Sequence, residues 1–209
     1  MGRGRQTRAD CYDYGVTNCA RRELPRDLTT VFLDRDGVLD EKMPEGRYVT
    51  SGEEFHVLPG VAEAVARLNR AGLRVVVVSN QRGIALGLYT GADLEAMHAA
   101  FQRLLNSHGA HIDAFFVCPH DLGQCNCRKP LPGLFEQAAA RFPDISAAAS
   151  AMIGDSIVDV EFGRRLGMTT ILIDGDAEGG KLGEESARES ADLRFASLRE
   201  AVDALLEGR

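Results

Sequence analysis

The chain has 209 residues, 44% of them hydrophobic and 26% charged, and 24 Lys and Arg against 31 Asp and Glu give a formal net charge of -7 with a sequence pI near 5.3. This suits one soluble globular domain with a sizeable core and argues against a fibre; the acidic balance, without a basic stripe, argues against a general binder of nucleic acid or anionic membranes. The longest apolar runs, VVVV at 75–78 and AAAS at 147–150, fall far short of a membrane span, and the N-terminus has arginines without the apolar segment of a signal peptide, so the expected compartment is the cytoplasm.

Residues 1–28 scatter Arg3, Arg5, Arg8, Arg21, Arg22 and Arg26 among acids, with Cys11 and Cys19 and no apolar periodicity. They read as a disordered extension without assigned chemistry, leaving one domain over 29–209. TTVFLD (29–34) then predicts a buried strand that ends in Asp34-Arg35-Asp36-Gly37. Side chains alternate along a strand, so Asp34 and Asp36 are expected on one side with Arg35 facing away. Two carboxylates this close raise each other's pKa unless a cation relieves them.

After the loop EKMPEGRYVTSG (41–52), VAEAVARLNRAG (61–72) has helical periodicity and RVVVVSN (74–80) is a second apolar strand. The Thr90 and Asp93 pair reads as a capping box opening a long helix that stops at Gly109. AFFVC (114–118), GLFEQAAARF (133–142), AMIGD (151–155), VDVEFGRRLG (158–167) and TTILID (169–174) continue the alternation, with Gly72 and Gly167 as further helix stops. A Gly-rich stretch, DGDAEGG (174–180), reads as a surface loop before the apolar run ADLRFASL (191–198) and the helix REAVDALL (199–206), whose start carries Ser197 and Glu200 at capping-box spacing. Continuous apolar strands alternating with helices predict an α/β fold, a Rossmann-like three-layer sandwich with a mainly parallel central sheet.

In such sheets ligands bind beyond the carboxyl ends of the strands. The residues gathered there are Asp34, Asp36 and Gly37; Ser79, Asn80 and Gln81; Cys118 and His120, with Arg128 and Lys129 nearby; and Gly154, Asp155, Ser156 and Asp159. One aspartate can attack phosphorus while a second protonates the leaving oxygen and then deprotonates water. The acids and the phosphate are all negative, so Mg²⁺ bridging carboxylates to phosphate is expected, with Asp155 as a protein ligand; Lys129 and Ser79 would hold the phosphate oxygens. Taken singly, Asp155 and Asp159 also read as helix caps, Ser79 as a loop residue and Lys129 as a solvated cation. Their joint placement favours chemistry.

DRDG, VSNQRG, CRKP and GDSIVDV resemble the four signature motifs of the haloacid dehalogenase superfamily of phosphatases, over nearly the whole chain from Thr29 onward. The resemblance implies Asp34 as nucleophile and Asp36 as general acid and base. It implies Mg²⁺ held by the Asp34 carboxylate, the Asp36 backbone carbonyl and Asp155, with Ser79 and Lys129 stabilising the transferring group. Residues 40–59 are too few for the inserted cap domain that many family members carry, so no large cap and an open site are expected.

Cys118-Pro-His120 and Cys125-Asn-Cys127 are separated by four residues that include Gly123. Three sulfurs and one imidazole make the donor set of a closed structural zinc site, and the alternative is a buried histidine with inert thiols. His56, His98, His108 and His111 lack such company and read as surface or helix-packing residues.

This loop, running into CRKP, resembles the branch of the superfamily that holds the D-glycero-D-manno-heptose-1,7-bisphosphate 7-phosphatases and the histidinol-phosphate phosphatases. The expected function is a Mg²⁺-dependent phosphomonoesterase acting, as a monomer, on a small phosphorylated metabolite rather than on nucleic acid or at a membrane. The free-standing length and Arg82 and Arg128, as ligands of a second phosphate, favour heptose bisphosphate; Asn80 and Gln81 join them as substrate-binding candidates. The short zinc loop favours histidinol phosphate. Asp40 stands where relatives often carry asparagine, and Ser156 where the heptose enzymes tend to carry lysine. Two readings of another kind are a zinc-stapled binding module without catalysis, against which the full set of acids argues, and a phosphatase of nucleic-acid ends or phosphoproteins, against which the acidic body argues.

Overall fold

Six strands form one parallel sheet in the computed structural model, which describes residues 27–174 and 184–207. In chain order the elements are β1 (Thr30–Leu33), α1 (Val61–Arg70), β2 (Arg74–Asn80), α2 (Gly91–Ser107), β3 (Ala114–Cys118), α3 (Gly133–Arg141), β4 (Ser150–Gly154), α4 (Ile157–Leu166), β5 (Thr169–Ile173), α5 (Glu184–Ser190), β6 (Leu193–Phe195) and α6 (Leu198–Glu207). The strand order is β3-β2-β1-β4-β5-β6. The sheet therefore grows outward from β1 in one direction, then returns and grows in the other. β1 lies between β2 and β4, with Val31 level with Val75 and Ala151.

Both faces of the sheet are covered, which is why the strands read as continuous apolar runs. Val31, Leu33, Val75, Val77 and Ile153 face α1, α2 and α6 in the larger core. Phe32, Val76, Val78 and Met152 face α3 and α4 in the other. Each large side chain buried here, such as Leu33 or Leu68, is worth roughly 1.5–3 kcal/mol of transfer free energy. The three layers match the expected fold class.

Local signals behave as read, with one adjustment. Thr90 Oγ accepts the Asp93 N–H while the Asp93 carboxylate accepts the Thr90 N–H, a complete capping box. At α6, Ser197 Oγ accepts the Glu200 N–H, but the Glu200 carboxylate takes the Ala196 N–H instead of that of Ser197. Gly72, Gly109 and Gly167 follow α1, α2 and α4 with φ of 74°, 68° and 81°. α5 was not expected: among its side chains described, Ala187 alone is buried, so the segment has no apolar periodicity.

Leu28 is already buried in the larger core. The rest of the expected extension, 1–26 with Cys11 and Cys19, and residues 175–180 of the Gly-rich loop lie outside the described residues. Between β1 and α1 the chain forms no cap-sized unit; Met43, Tyr48, Val49 and Phe55 pack with Tyr89, Leu94 and Met97 at the start of α2. No helix among the described residues is long and apolar enough to cross a membrane.

Candidate active site

The strand order puts the carboxyl ends of β1 and β4 side by side, and Asp34 and Asp155 follow those two ends. The Asp34 N–H donates to the Ile153 carbonyl at 2.9 Å, so the sheet pairing runs into the first acid. Gly37 then turns at φ 89°. A Cβ there would overlap the Asp155 carboxylate, and one at Gly154 would overlap the Asp159 side chain. These close approaches bring carboxylate oxygens of Asp34, Asp155 and Asp159 all within 4.8 Å of one another.

Lys129 enters this group from the CRKP loop. Its side chain is 1% exposed, and Nζ lies 2.9 Å from Asp34 Oδ1 and 2.6 Å from Asp159 Oδ1. Burial opposes its charge, but Asp159 and Asp34 hold the ammonium protonated above its ordinary range. Asp34 is pushed up to about 7, first by burial and then by Asp159, with Lys129 opposing. Burial also raises Asp155, against the pull of Lys42, whose Nζ lies 2.5 Å from Asp155 Oδ2. Asp159 is tied to Lys129 and, at 2.5 Å, to the Ser156 hydroxyl. Asp159 has both oxygens taken, whereas Asp34 and Asp155 each give only one oxygen to a lysine, and an all-oxygen donor set crowded with negative charge fits Mg²⁺.

Asp36 is held at both oxygens. Arg35 Nη2 donates to Oδ1 at 2.5 Å and Gln81 Nε2 to Oδ2 at 2.9 Å. Gln81 Nε2 also reaches Ser79 Oγ at 2.8 Å, and its Oε1 accepts from Tyr89 OH at 2.6 Å.

One expectation needs correction, and two substrate-binding candidates have partners within the protein. Arg35 does not face away: it is buried and pairs with Asp36 and Asp40, because the turn over 35–40 folds its side chain inward against the Phe55 ring. Asn80 spends its amide on the Lys129 backbone, donating to its carbonyl at 3.1 Å and accepting its N–H at 2.9 Å. Gln81 is 2% exposed and spent on Asp36, Ser79 and Tyr89. Both amides brace other residues of the site. Asp159 was gathered at the strand ends without a role of its own, its signal being its position one helical turn beyond Asp155; Arg35, Asp40 and Lys42 were not singled out as site residues.

Arg82 and Arg128 border the Cys/His loop. Arg82 Nε lies 2.5 Å from Asp121 Oδ1, and this hydrogen bond holds the Asp121 carboxyl below its usual range, with Arg128 adding to the effect. Arg128 precedes Lys129 directly and buries one guanidinium nitrogen, Nη1.

The Cys/His loop brings its four expected ligands together, all donor atoms within 4.8 Å. Cys118 Sγ lies 3.4 Å from Cys125 Sγ and 3.7 Å from His120 Nδ1, and His120 Nδ1 lies 3.3 Å from Cys127 Sγ. Metal–ligand bonds of tetrahedral zinc imply donor separations of about 3.5–3.8 Å. The cluster can hold a metal ion. Burial and the two neighbouring thiols push Cys127 up to about 12, a crowding that a coordinated cation relieves.

A doubly wound parallel sheet with a buried lysine and converging aspartates at its switch point defines a hydrolase built for phosphoryl transfer. The chain belongs to the haloacid dehalogenase-like hydrolases, whose family model matches residues 18–167. It is 37% identical over 180 residues to D-glycero-alpha-D-manno-heptose-1,7-bisphosphate 7-phosphatase of Mycobacterium tuberculosis, covering 86% of this chain and 92% of the relative. It is 40% identical over 148 residues to D-glycero-beta-D-manno-heptose-1,7-bisphosphate 7-phosphatase of Bordetella bronchiseptica, covering 70% and 80%. The crystal structure of D,D-heptose 1,7-bisphosphate phosphatase from B. bronchiseptica, complexed with magnesium and phosphate, superposes with a TM-score of 0.75 at 32% identity, covering 87% of this chain and 100% of that one.

Proposed function

We propose that the chain is a phosphatase that removes the 7-phosphate of D-glycero-D-manno-heptose 1,7-bisphosphate through a phosphoryl-enzyme on Asp34. The observation that carries this reading is the Asp34 carboxylate, capped by buried Lys129 and followed two residues later by a carboxylate fixed at both oxygens. An Asp34 oxygen attacks phosphorus as the bond from phosphorus to the sugar oxygen breaks, and Asp36, which enters this step protonated, gives that oxygen its proton. Asp36 next takes a proton from water, the water oxygen bonds to phosphorus, and the bond to Asp34 breaks to release inorganic phosphate. Lys129 keeps its charge beside the reacting oxygens throughout. The Ser79 hydroxyl accepts from Gln81, which leaves its own proton to donate to a phosphate oxygen. Asp34, Asp155 and the Asp36 carbonyl would hold Mg²⁺, which would supply the positive charge that two anionic reactants require.

Arg82 and Arg128 are the residues we assign to the second phosphate, and zinc is the metal we assign to Cys118, His120, Cys125 and Cys127. Thiolate ligands suit a reducing compartment, which supports a cytoplasmic enzyme. The named relatives act on heptose bisphosphate rather than histidinol phosphate, and the reading follows them; one is named for the alpha anomer and the other for the beta. Phosphate release from both anomers, histidinol phosphate and a 3′-phosphorylated oligonucleotide, with Mg²⁺ and with chelator, tests it. We expect Mg²⁺-dependent turnover to be fastest on one heptose anomer. Faster turnover of histidinol phosphate or the oligonucleotide would overturn the substrate, and no turnover of any would overturn the enzyme.

A further inference from the structure

The turn after β1 buries a guanidinium and a carboxyl group that make no hydrogen bond to each other. Arg35 is 1% exposed and Asp40 0%, and Arg35 Nε lies 3.7 Å from Asp40 Oδ1. Both Asp40 carboxylate oxygens lack a hydrogen-bond partner among the described residues, as do Arg35 Nε and Nη1. The guanidinium does make one side-chain hydrogen bond, through Nη2, and it goes to Asp36 Oδ1 at 2.5 Å.

So long a contact returns little for burying both groups, and replacing such a pair with apolar side chains of similar volume is often neutral or stabilising. Stability therefore does not account for the pair. Its polar product is the fixed position of one carboxylate. The backbone is arranged to the same end: the Arg35 carbonyl accepts the N–H groups of Leu39 and Asp40 at 2.8 and 3.3 Å, which returns Asp40 to the side of Arg35. Phe55 backs the guanidinium, its ring centroid 5.5 Å away. Gln81 completes the grip on the other Asp36 oxygen.

We infer that Arg35 and Asp40 are positioning residues, Asp40 anchoring the guanidinium and Arg35 aiming the Asp36 carboxylate at the leaving oxygen. This rests on the assignment of Asp36 as the general acid. A proton delivered to the leaving group matters greatly when that group is an alkoxide and little when it is p-nitrophenolate. A misaimed Asp36 therefore slows an alkyl phosphate far more than an aryl phosphate. A general loosening of the fold slows both alike.

The test is single-turnover release of alcohol from glycerol 2-phosphate and of p-nitrophenol from its phosphate. The double variant Arg35→Met/Asp40→Leu removes both polar groups together, so neither is left buried alone. We expect its rate to fall at least about tenfold more on the alkyl than on the aryl substrate, with KM little changed, and Arg35→Lys to recover part of the loss. Should the double variant fail to fold, Arg35→Lys and Asp40→Asn, which nearly keep volume, are read by the same ratio. Asp36→Asn serves as the reference. Equal losses on both substrates, where Asp36→Asn discriminates between them, overturn the positioning role. If Asp36→Asn does not discriminate either, the acid assignment fails and the positioning role fails with it.

Discussion

Nζ of Lys129 lies 2.9 Å from Oδ1 of Asp34, with the lysine side chain almost wholly out of water. Asp159 shares the same ammonium, and Asn80 clips the Lys129 backbone from both sides. Lys129→Met leaves buried Asp159 and part-buried Asp34 without their counter-charge. It should lower kcat by about 10²–10³ or more and destabilise the fold by roughly 3–5 kcal/mol. Phosphate release and urea unfolding measure the two effects, and an unchanged kcat would contradict the role given to this contact.

Asp34→Asn should abolish turnover, since an amide cannot act as the nucleophile. The fold should remain and its melting temperature should hold or rise, because burial and Asp159 already oppose a charge at that position. Normal turnover by this variant would remove Asp34 from the reaction.

Cys125→Ser should cost the protein its zinc. Elemental analysis is expected to find about one zinc per wild-type chain and far less in the variant. A lower melting temperature should accompany the loss, and turnover should fall because Lys129 comes two residues after Cys127. Fully active wild type without zinc would refute the assignment.

His98 supplies a pH dependence. Its ring stacks on Phe115 with centroids 4.2 Å apart, and burial, followed by the charge of Arg35, holds its pKa down to about 4. An imidazole whose folded pKa lies below its unfolded value gives stability that is present above about 6.5 and is lost as pH falls through about 4. The full loss is on the order of 3 kcal/mol. His98→Gln should remove this contribution, so the stability difference between variant and wild type should change between pH 7.5 and pH 4. A constant difference across that window would show that His98 does not titrate in this way.

Much of this was legible in the sequence because the signals are local. Strand ends carrying acids, the helix stops and Cys118, His120, Cys125 and Cys127 depend on neighbours a few residues away. Strand order is not local: nothing in TVFL says that β4 rather than β3 lies beside it. What was missed has the same origin. Asn80 and Gln81 read as substrate ligands because both are polar at a strand end, and their hydrogen bonds to Lys129 and Asp36, which come from other segments, left no local trace. Arg35 read as outward because strand alternation was extended into a turn that Gly37 had already broken. α5 was invisible because its sequence, EESARES, has almost no apolar content.

The pairing of Thr30 with Ser150 and of Leu33 with Ile153 has a consequence for biosynthesis. A chain emerging from the ribosome displays Asp34, Asp36 and Ser79 early, but the acid that faces them arrives only with the final third of the polypeptide. With the roles proposed for these acids, ester cleavage would wait for that late segment, and two separately expressed pieces divided before Ser150 should each be inert.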